Sequence, residues 1–261
     1  MVHKRYLLIV SLLISFLSSA QFDDEVSKTE LYDRAVDMGI YAQMLAKDKL
    51  YLINNVKKDQ AGKEMDYAIA KISENLSEID LNEEDPKLIN QLKNVKKVWA
   101  KLNLKVTQNL NQKEFTSLYF EVNTFDRLLS DLVEKMKVVY DLPSEKLEKY
   151  DQIQKLRKLI QKISLSYYAN YLGLSKSFMH EYKKNIASVD NFIKEKSNLF
   201  LNDPVAEKQF ADVIIDWNFY RANLLHENAK NPKTIFSLST SIDYKLRNIK
   251  ERYIKSLNKN F

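Results

Sequence analysis

Cysteine is absent from this 261-residue chain, and glycine and proline occur only 3 and 4 times. Without cysteine there is neither a disulfide framework nor a thiolate metal site, so stability must come from core packing. Folds rich in sheet need more glycine and proline for turns and phosphate-binding loops, so the composition predicts long helices with few breaks. Hydrophobic residues are 45% of the chain, which is enough for one large or two small domains with their own cores.

Histidine is also scarce, since only His180 and His226 lie beyond the N-terminal segment. A ferritin-like di-iron site needs Glu three residues before each ligand histidine, and those positions hold Ser177 and Asn223. No HExxH, GxGxxG or GxxxxGK[ST] motif occurs. The carboxylates follow polar helix faces rather than pairing in a predicted cleft. The sequence therefore predicts no catalytic residue, no metal site and no cofactor.

The N-terminus is typical of a secretory signal. Lys4 and Arg5 precede an apolar stretch at residues 6–17, and small residues follow up to Ala20. An uncleaved membrane anchor is the alternative, but 12 apolar residues fall short of the roughly 20 that span a bilayer as a helix. We expect residues 1–20 to be a signal peptide cleaved before Gln21, with the mature protein periplasmic or secreted.

The remaining chain has no second apolar run of membrane-spanning length, so no transmembrane segment is expected in the mature protein. Beyond residue 20 there are 39 basic and 35 acidic residues, a formal balance of +4. Their signs alternate along segments such as residues 63–80, which is typical of solvated helix faces. We therefore expect no nucleic acid as a partner.

Two uncommon features, tryptophan and the Asp-Pro dipeptide, share one spacing of 118 residues, and a glutamine early in a predicted helix recurs at the same spacing. They are Trp99 and Trp217, Pro86 and Pro204, and Gln43 and Gln161. Coincidence at one shared offset is improbable, so the pattern indicates an internal duplication. The predicted units are residues 21–142 and 143–261.

Apolar periodicity predicts four helices in each copy. They cover about residues 25–55, 60–79, 88–106 and 115–139, and then 144–172, 176–200, 204–227 and 232–257. Pro86, Pro204 and Pro232 each follow Asp or Asn, a cap with proline at the first helical position, and Pro143 lies in the junction. Short connections favour antiparallel neighbours, so we predict an all-α protein of two tandem up-down-up-down four-helix bundles.

The heptad spacing also predicts which residues face inward. In the first helix the inward set is Leu31, Ala35, Met38, Ala42 and Leu45. In the fifth it is Ile153, Leu156, Ile160, Ile163, Tyr167 and Tyr171. Trp99 and Trp217 each continue such a seam in a third helix, so both are predicted to be core anchors.

A short motif stands near the start of each copy. Residues 157–164, RKLIQKIS, have the form R-x-L-x-Q-[KR]-I, and residues 43–47 are QMLAK. Together these segments resemble the R-M-L-S-Q-R-[MI]-A-K signature of the sensor domain at the N-terminus of type IV pili methyl-accepting chemotaxis transducers, the PilJ-type domain. The tyrosine-rich continuations, and the tryptophan in the third helix, are also similar to the family pattern.

The resemblance implies a periplasmic four-helix sensor, related to those of nitrate and nitrite sensor kinases, in which the motif arginine contacts a small anion where helices meet. Only Arg157 matches that arginine, because the first copy has Gly39 there. The ligand-binding residues implied are Arg157 and Gln161. The partners implied are a small anion or metabolite and an envelope signalling protein.

The residues alone leave other interpretations open. On the residues alone, the favoured interpretation of Arg157 is a surface arginine on a basic helix face, and that of Gln43 and Gln161 is hydrogen bonding between helices within the bundle. The leading hypothesis is a non-enzymatic sensory or binding module, and the alternative is a structural helical adaptor; an enzyme is a distant third. A buried polar cluster around Arg157 would favour the sensor, whereas a continuous exposed apolar stripe would favour the adaptor.

Overall fold

A computed structural model describes residues 26–142, 144–196, 199–200, 202–225 and 231–258. These residues form eight helices and no strand, which confirms the all-α prediction. The helices are α1 (Lys28–Ile53), α2 (Lys58–Asn82), α3 (Pro86–Val106), α4 (Gln112–Val139), α5 (Ser144–Tyr171), α6 (Lys176–Lys196), α7 (Pro204–Leu225) and α8 (Pro232–Asn258). The predicted signal peptide, the junction at Pro143 and His226 lie outside the described residues.

Local sequence explains where the helices begin. The Ser27 hydroxyl accepts a hydrogen bond from the backbone N–H of Glu30 at the start of α1, and the Glu30 carboxylate accepts one from the N–H of Ser27. Asp85 caps α3 in front of Pro86 by accepting from two backbone N–H groups. Asp203 accepts from the N–H of Ala206 in the same way at α7. The predicted Asp-Pro caps are therefore confirmed.

The helices pack in the same order in both halves of the chain. In the first half α1 packs on α2 and α4, and α3 packs on α4; in the second half α5 packs on α6 and α8, and α7 packs on α8. Trp99 and Trp217 are both buried, as predicted for core anchors, on α3 and α7. The repeated order agrees with the predicted duplication, which itself stays a prediction.

The two halves are joined through α1 and α5, which lie against each other, and α1 also contacts α8. One continuous cluster of buried apolar residues runs through both halves. As a result every residue of α1 from Asp37 to Tyr51 is buried. The predicted inward set of α1 is correct, but it is only one of several faces that this central helix buries.

The fifth helix shows the same effect. Most of its predicted inward residues are buried, from Ile153 to Tyr167, and so are polar residues on its other side. Tyr171 is the exception, because it is the last residue of α5, just before the turn at Gly173, and remains 43% exposed. Its predicted inward position is wrong.

In the described part of the chain no helix combines the length and the apolar character that crossing a bilayer would require.

Candidate functional site

Arg157 lies at the centre of the interface between the two halves. Its side chain is fully buried. Nη1 donates to Asp37 Oδ1 of α1 at 2.9 Å and to Gln154 Oε1 at 2.8 Å, and Nε donates to Asp243 Oδ1 of α8 at 2.9 Å. The interpretation of Arg157 as a surface residue is therefore wrong, because α1 and α8 cover this face of α5. Its role in ligand binding stays a prediction.

The contacts of Arg157 belong to a longer polar network. Lys250 on α8 donates to Asp33 Oδ2 at 2.7 Å and to Asp37 Oδ2 at 3.0 Å. Tyr150 on α5 donates to the other oxygen of Asp33 at 2.6 Å. The Asp243 carboxylate pairs with both Arg157 and Arg247. The network therefore contains three buried or half-buried carboxylates, Asp33, Asp37 and Asp243, and three cations, Arg157, Arg247 and Lys250. Charge balance of this kind is what allows ionised groups to remain inside a bundle.

The charges in this network stabilise one another. Burial alone would raise the pKa of Asp37, but Lys250 and Arg157 outweigh burial and lower that pKa to about 2. Burial opposes the charge of Lys250 too, yet Asp37 and Asp33 raise its pKa. Asp33 differs, because burial and the neighbouring Asp37 raise its pKa to about 6. The Arg157 and Asp37 pair therefore stays ionised at neutral pH.

A pocket of about 220 Å³ opens beside this network, and we call it the Gln161 pocket. Its lining comes from α1, α2, α5 and α8. The residues are Met44, Lys63, Glu64, Tyr67, Gln161, Thr240, Asp243, Tyr244 and Arg247. Gln161, one of the two predicted binding residues, therefore lies in the pocket wall. Arg157 does not line the pocket itself, but it donates to Asp243, which does.

Two polar atoms in the wall of the Gln161 pocket have no hydrogen-bond partner among the described residues: Gln161 Oε1 and Arg247 Nε, both buried. A buried polar atom without a partner is uncommon in a folded protein and calls for a water molecule or a ligand. One of these atoms is an acceptor and the other is a donor. Both atoms belong to residues that line the pocket, but each atom is shielded from solvent, so a small molecule can bond to them only when these side chains shift.

Arg247 is held in place at the rim of the pocket. Nη2 donates to Asp243 Oδ2 at 3.3 Å, Nη1 donates to the Tyr67 hydroxyl at 3.4 Å, and the guanidinium lies 5.5 Å from the centre of the Tyr67 ring. Burial opposes its charge, but Asp243 raises its pKa. Lys63, also in the lining, is exposed and has no ion pair among the described residues. The lining thus holds two cations, Lys63 and Arg247, and two carboxylates, Glu64 and Asp243, of which Asp243 pairs with Arg247.

The first half places its motif residues differently. Gln43 Nε2 donates to Asp126 Oδ2 of α4 at 3.1 Å, which confirms the predicted hydrogen bond between helices for this glutamine. Gly39 stands at the position that corresponds to Arg157 and lies against Asp126 and Lys158. In this half, therefore, a lysine from the other half pairs with the α4 carboxylate.

A second buried charge cluster was not predicted from the sequence. Lys47 and Asp48 on α1 are both fully buried; Lys47 Nζ is 3.1 Å from Asp48 Oδ1, 3.0 Å from Glu64 Oε2 and 4.4 Å from the Phe236 ring centre. One ammonium neutralises only one of the two carboxylates. Burial accordingly raises the pKa of Asp48 to about 8, although Lys47 acts against it. The sequence carried little signal for this cluster, because Lys47 and Asp48 stand beside Lys49 in a helix with other charged residues such as Asp33 and Arg34.

None of the groups around the Gln161 pocket forms a nucleophile with an adjacent base. The carboxylates of Asp243 and Glu64 already accept hydrogen bonds from cations of the fold. Among the residues that the structure describes, no three His, Cys, Asp or Glu side chains are grouped so as to hold a metal ion. The arrangement is suited to holding a small molecule by hydrogen bonds and charge.

The chain matches no protein family, no curated protein and no solved structure. The resemblance to PilJ-type sensor domains therefore stays a prediction.

Proposed function

We propose that this protein is an exported, non-enzymatic helical binding module that recognises a small organic acid in the Gln161 pocket. The observation that carries the proposal is the pair of buried atoms without partners, Gln161 Oε1 and Arg247 Nε, in the wall of one pocket. The motif resemblance, which singles out Gln161 and Arg157, supports the same place independently.

The chemistry of the wall selects the class of ligand. Arg247 and Lys63 attract a carboxylate, and the guanidinium can bind it through two parallel hydrogen bonds. Gln161 Oε1 is an acceptor, so it favours a ligand that also carries a hydroxyl or amide donor. The volume of about 220 Å³ restricts the ligand to a few heavy atoms beyond the carboxylate.

Arg157 acts in this proposal as a positioning residue. It holds Asp243 Oδ1, while Asp243 Oδ2 holds Arg247. Through these two contacts Arg157, which is buried on α5, fixes the orientation of Arg247, which contacts the ligand. Preorganisation of this kind lowers the entropy that binding would otherwise cost.

The test is isothermal titration calorimetry of the purified protein with three probes: glycolate, acetate and nitrate. Glycolate has both a carboxylate and a hydroxyl donor, acetate lacks the donor, and nitrate is a planar anion without either a carboxylate or a donor. Glycolate is expected to bind more tightly than acetate, and acetate more tightly than nitrate. Equal affinity for all three would contradict recognition by Gln161.

Amino-acid substitutions test whether these probes bind in the Gln161 pocket. Gln161→Met keeps the length of the side chain and removes the acceptor, so it should reduce the preference for glycolate over acetate about tenfold, the loss of one hydrogen bond. Arg247→Gln should weaken both carboxylates. Gln43→Met is the matched control, because Gln43 is the corresponding glutamine and lines none of the described pockets. If Gln43→Met and Gln161→Met have the same effect, the proposed site is wrong.

One observation favours the second candidate, a structural adaptor for an envelope partner. The outer face of α7 carries exposed apolar residues every three or four positions, including Ile215 at 65% and Phe219 at 59% exposure. Ala211, Ala222 and Leu225 continue this face. Exposed apolar stripes are typical of interaction surfaces. Ile215→Lys together with Phe219→Lys should abolish partner association if the adaptor function holds, and should leave glycolate binding unchanged.

A further inference from the structure

A second pocket lies between α1, α4 and α5, with a volume of about 380 Å³. We call it the Gly39 pocket. It shares no lining residue with the Gln161 pocket. The sequence motifs do not point to it, and the proposed function does not use it.

The walls of the Gly39 pocket differ in polarity. Helix α1 contributes mainly apolar residues, α4 contributes both apolar and charged residues, and α5 contributes polar ones. The apolar residues are Ala35, Val36, Ile40, Leu129 and Val133. The polar residues from α5 are Asp151, Gln154, Lys155 and Lys158. A ligand that fits both walls has an apolar body and a polar head.

Ion pairs close both ends of the pocket. At one end Lys137 lies 3.0 Å from Asp151 and 3.2 Å from Glu134. At the other end Lys158 pairs with Asp126, directly against Gly39. These contacts neutralise two of the three lysines that line the pocket. The third, Lys155, is exposed and has no carboxylate within ion-pair distance in the described part of the chain.

Comparison of positions 118 residues apart explains why this space is open. Gly39 corresponds to Arg157, and Lys155 corresponds to Asp37. At the first of these positions, opposite Asp37, the Arg157 side chain fills the space and pairs with the Asp37 carboxylate. At the second position Gly39 stands where Arg157 would be and has no side chain. Lys155 stands there in place of Asp37. The charges at the first position are paired internally, whereas Lys155 at the second has no ion pair among the residues that the structure describes, in a lining that holds three lysines and the three carboxylates of Asp126, Glu134 and Asp151.

We propose that the Gly39 pocket binds an amphipathic monocarboxylate, such as a medium-chain fatty acid. The alkyl body packs on the α1 and α4 wall, where burial of apolar surface drives binding. The carboxylate meets Lys155. A single carboxylate suffices, because every other lysine in the lining already has an acidic partner.

The experiment is isothermal titration calorimetry of the purified protein with octanoate, with 1-octanol and acetate as comparison probes. Octanoate should bind at one site per chain. 1-Octanol has the alkyl chain without the carboxylate, and acetate has the carboxylate without the alkyl chain. Both should bind at least tenfold more weakly than octanoate. Equal affinity for octanol and octanoate would overturn the role of Lys155.

Two charge reversals at exposed lysines make the test specific. Lys155→Glu should weaken octanoate at least tenfold, because an attraction becomes a repulsion. Lys101→Glu, at an exposed lysine of α3 that lines none of the described pockets, should leave octanoate binding unchanged. Both variants replace exposed side chains, so circular dichroism should show both folded. Equal weakening by the two variants, or no binding of octanoate to the wild type, would overturn the proposal.

Gln161→Met separates this proposal from the proposed function. It should change the preference for glycolate and leave octanoate binding as it is. A loss of octanoate binding in Gln161→Met would place octanoate in the Gln161 pocket and contradict a second site.

Discussion

The Tyr32 hydroxyl donates to Asp151 Oδ1 at 2.8 Å, and the residues 118 positions from these two make the same contact in the opposite direction, since Tyr150 donates to Asp33 Oδ1 at 2.6 Å. Tyr32 and Asp33 lie on α1, whereas Tyr150 and Asp151 lie on α5. Reciprocal contacts of this kind are the mark of a two-fold interface, in which the same surface is used twice. Here both surfaces belong to one chain.

The two members of this reciprocal pair should differ in their contribution to stability. Tyr150 donates to Asp33 and also accepts from Gln154, so Tyr150→Phe removes two hydrogen bonds, whereas Tyr32→Phe removes one. We expect a loss of about 2–3 kcal/mol for Tyr150→Phe and about 1 kcal/mol for Tyr32→Phe. Urea unfolding measures both. Tyr244→Phe, at a tyrosine that is 62% exposed, is the control. Equal losses for the two buried tyrosines would contradict the difference.

Arg157→Met should destabilise the protein by about 3–5 kcal/mol, because it leaves Asp37 and Asp243 buried without their shared cation. Arg157→Lys should also destabilise it, since one ammonium cannot reproduce the separate Nε and Nη1 contacts. Chemical denaturation provides the values. The matched control is Arg127→Met, at an exposed arginine of α4, where the change should stay within about 0.5 kcal/mol. A small loss at Arg157 would mean that the network contributes little.

Asp48 should make the protein less stable as the pH rises. Its pKa is about 8 in the folded protein against an ordinary value of 3.8, so the folded state keeps the proton to higher pH than the unfolded chain does. The free energy of unfolding therefore falls between about pH 4 and pH 8. Asp33, with a pKa of about 6, acts in the same direction up to about pH 6. Asp37 acts in the opposite direction, because its contribution is lost as the pH falls from about 4 towards 2.

Asp48→Asn imitates the protonated carboxyl and should therefore raise the free energy of unfolding at pH 8 by on the order of 5 kcal/mol. It should also flatten the pH dependence between pH 5 and pH 8, measured by urea unfolding at several pH values. Asp66→Asn, at an exposed position of α2, should leave that dependence unchanged. If Asp48→Asn leaves the slope as it is, Asp48 is ionised across this range.

Trp99 and Trp217 should both behave as core residues. Replacement by Ala is expected to cost about 3–5 kcal/mol at either position. Trp217 donates from Nε1 to the Asp190 carboxylate at 3.0 Å, whereas Trp99 donates to the uncharged Ser73 hydroxyl at 3.3 Å, so the loss at Trp217 should be the larger of the two. Phe120→Ala, at a phenylalanine that is 66% exposed, should cost less than about 1 kcal/mol. Thermal or urea unfolding distinguishes these cases. Similar losses at all three positions would contradict the assigned cores.

Local signals in the sequence were enough to predict the helices. The heptad spacing, the Asp-Pro caps and the scarcity of glycine act within a few residues, so they do not depend on which helices later meet. The eight helices begin and end close to the predicted positions, and both tryptophans are buried as expected. Gln161 was singled out from its motif alone, and it does line a pocket.

The tertiary structure decided what the polar residues of α1 and α5 do. Considered one bundle at a time, each of these helices has an outer face on which Asp37, Lys47 or Arg157 would meet solvent. Packing of α1 against α5 and α8 removes that solvent, and the charges of Asp37 and Arg157 then need partners that are 86 to 213 residues away in the sequence. No local periodicity encodes such a partner, because the requirement arises only once burial makes an unpaired charge costly. The sequence determined the helices, whereas contact between the halves determined the buried network and the pockets beside it.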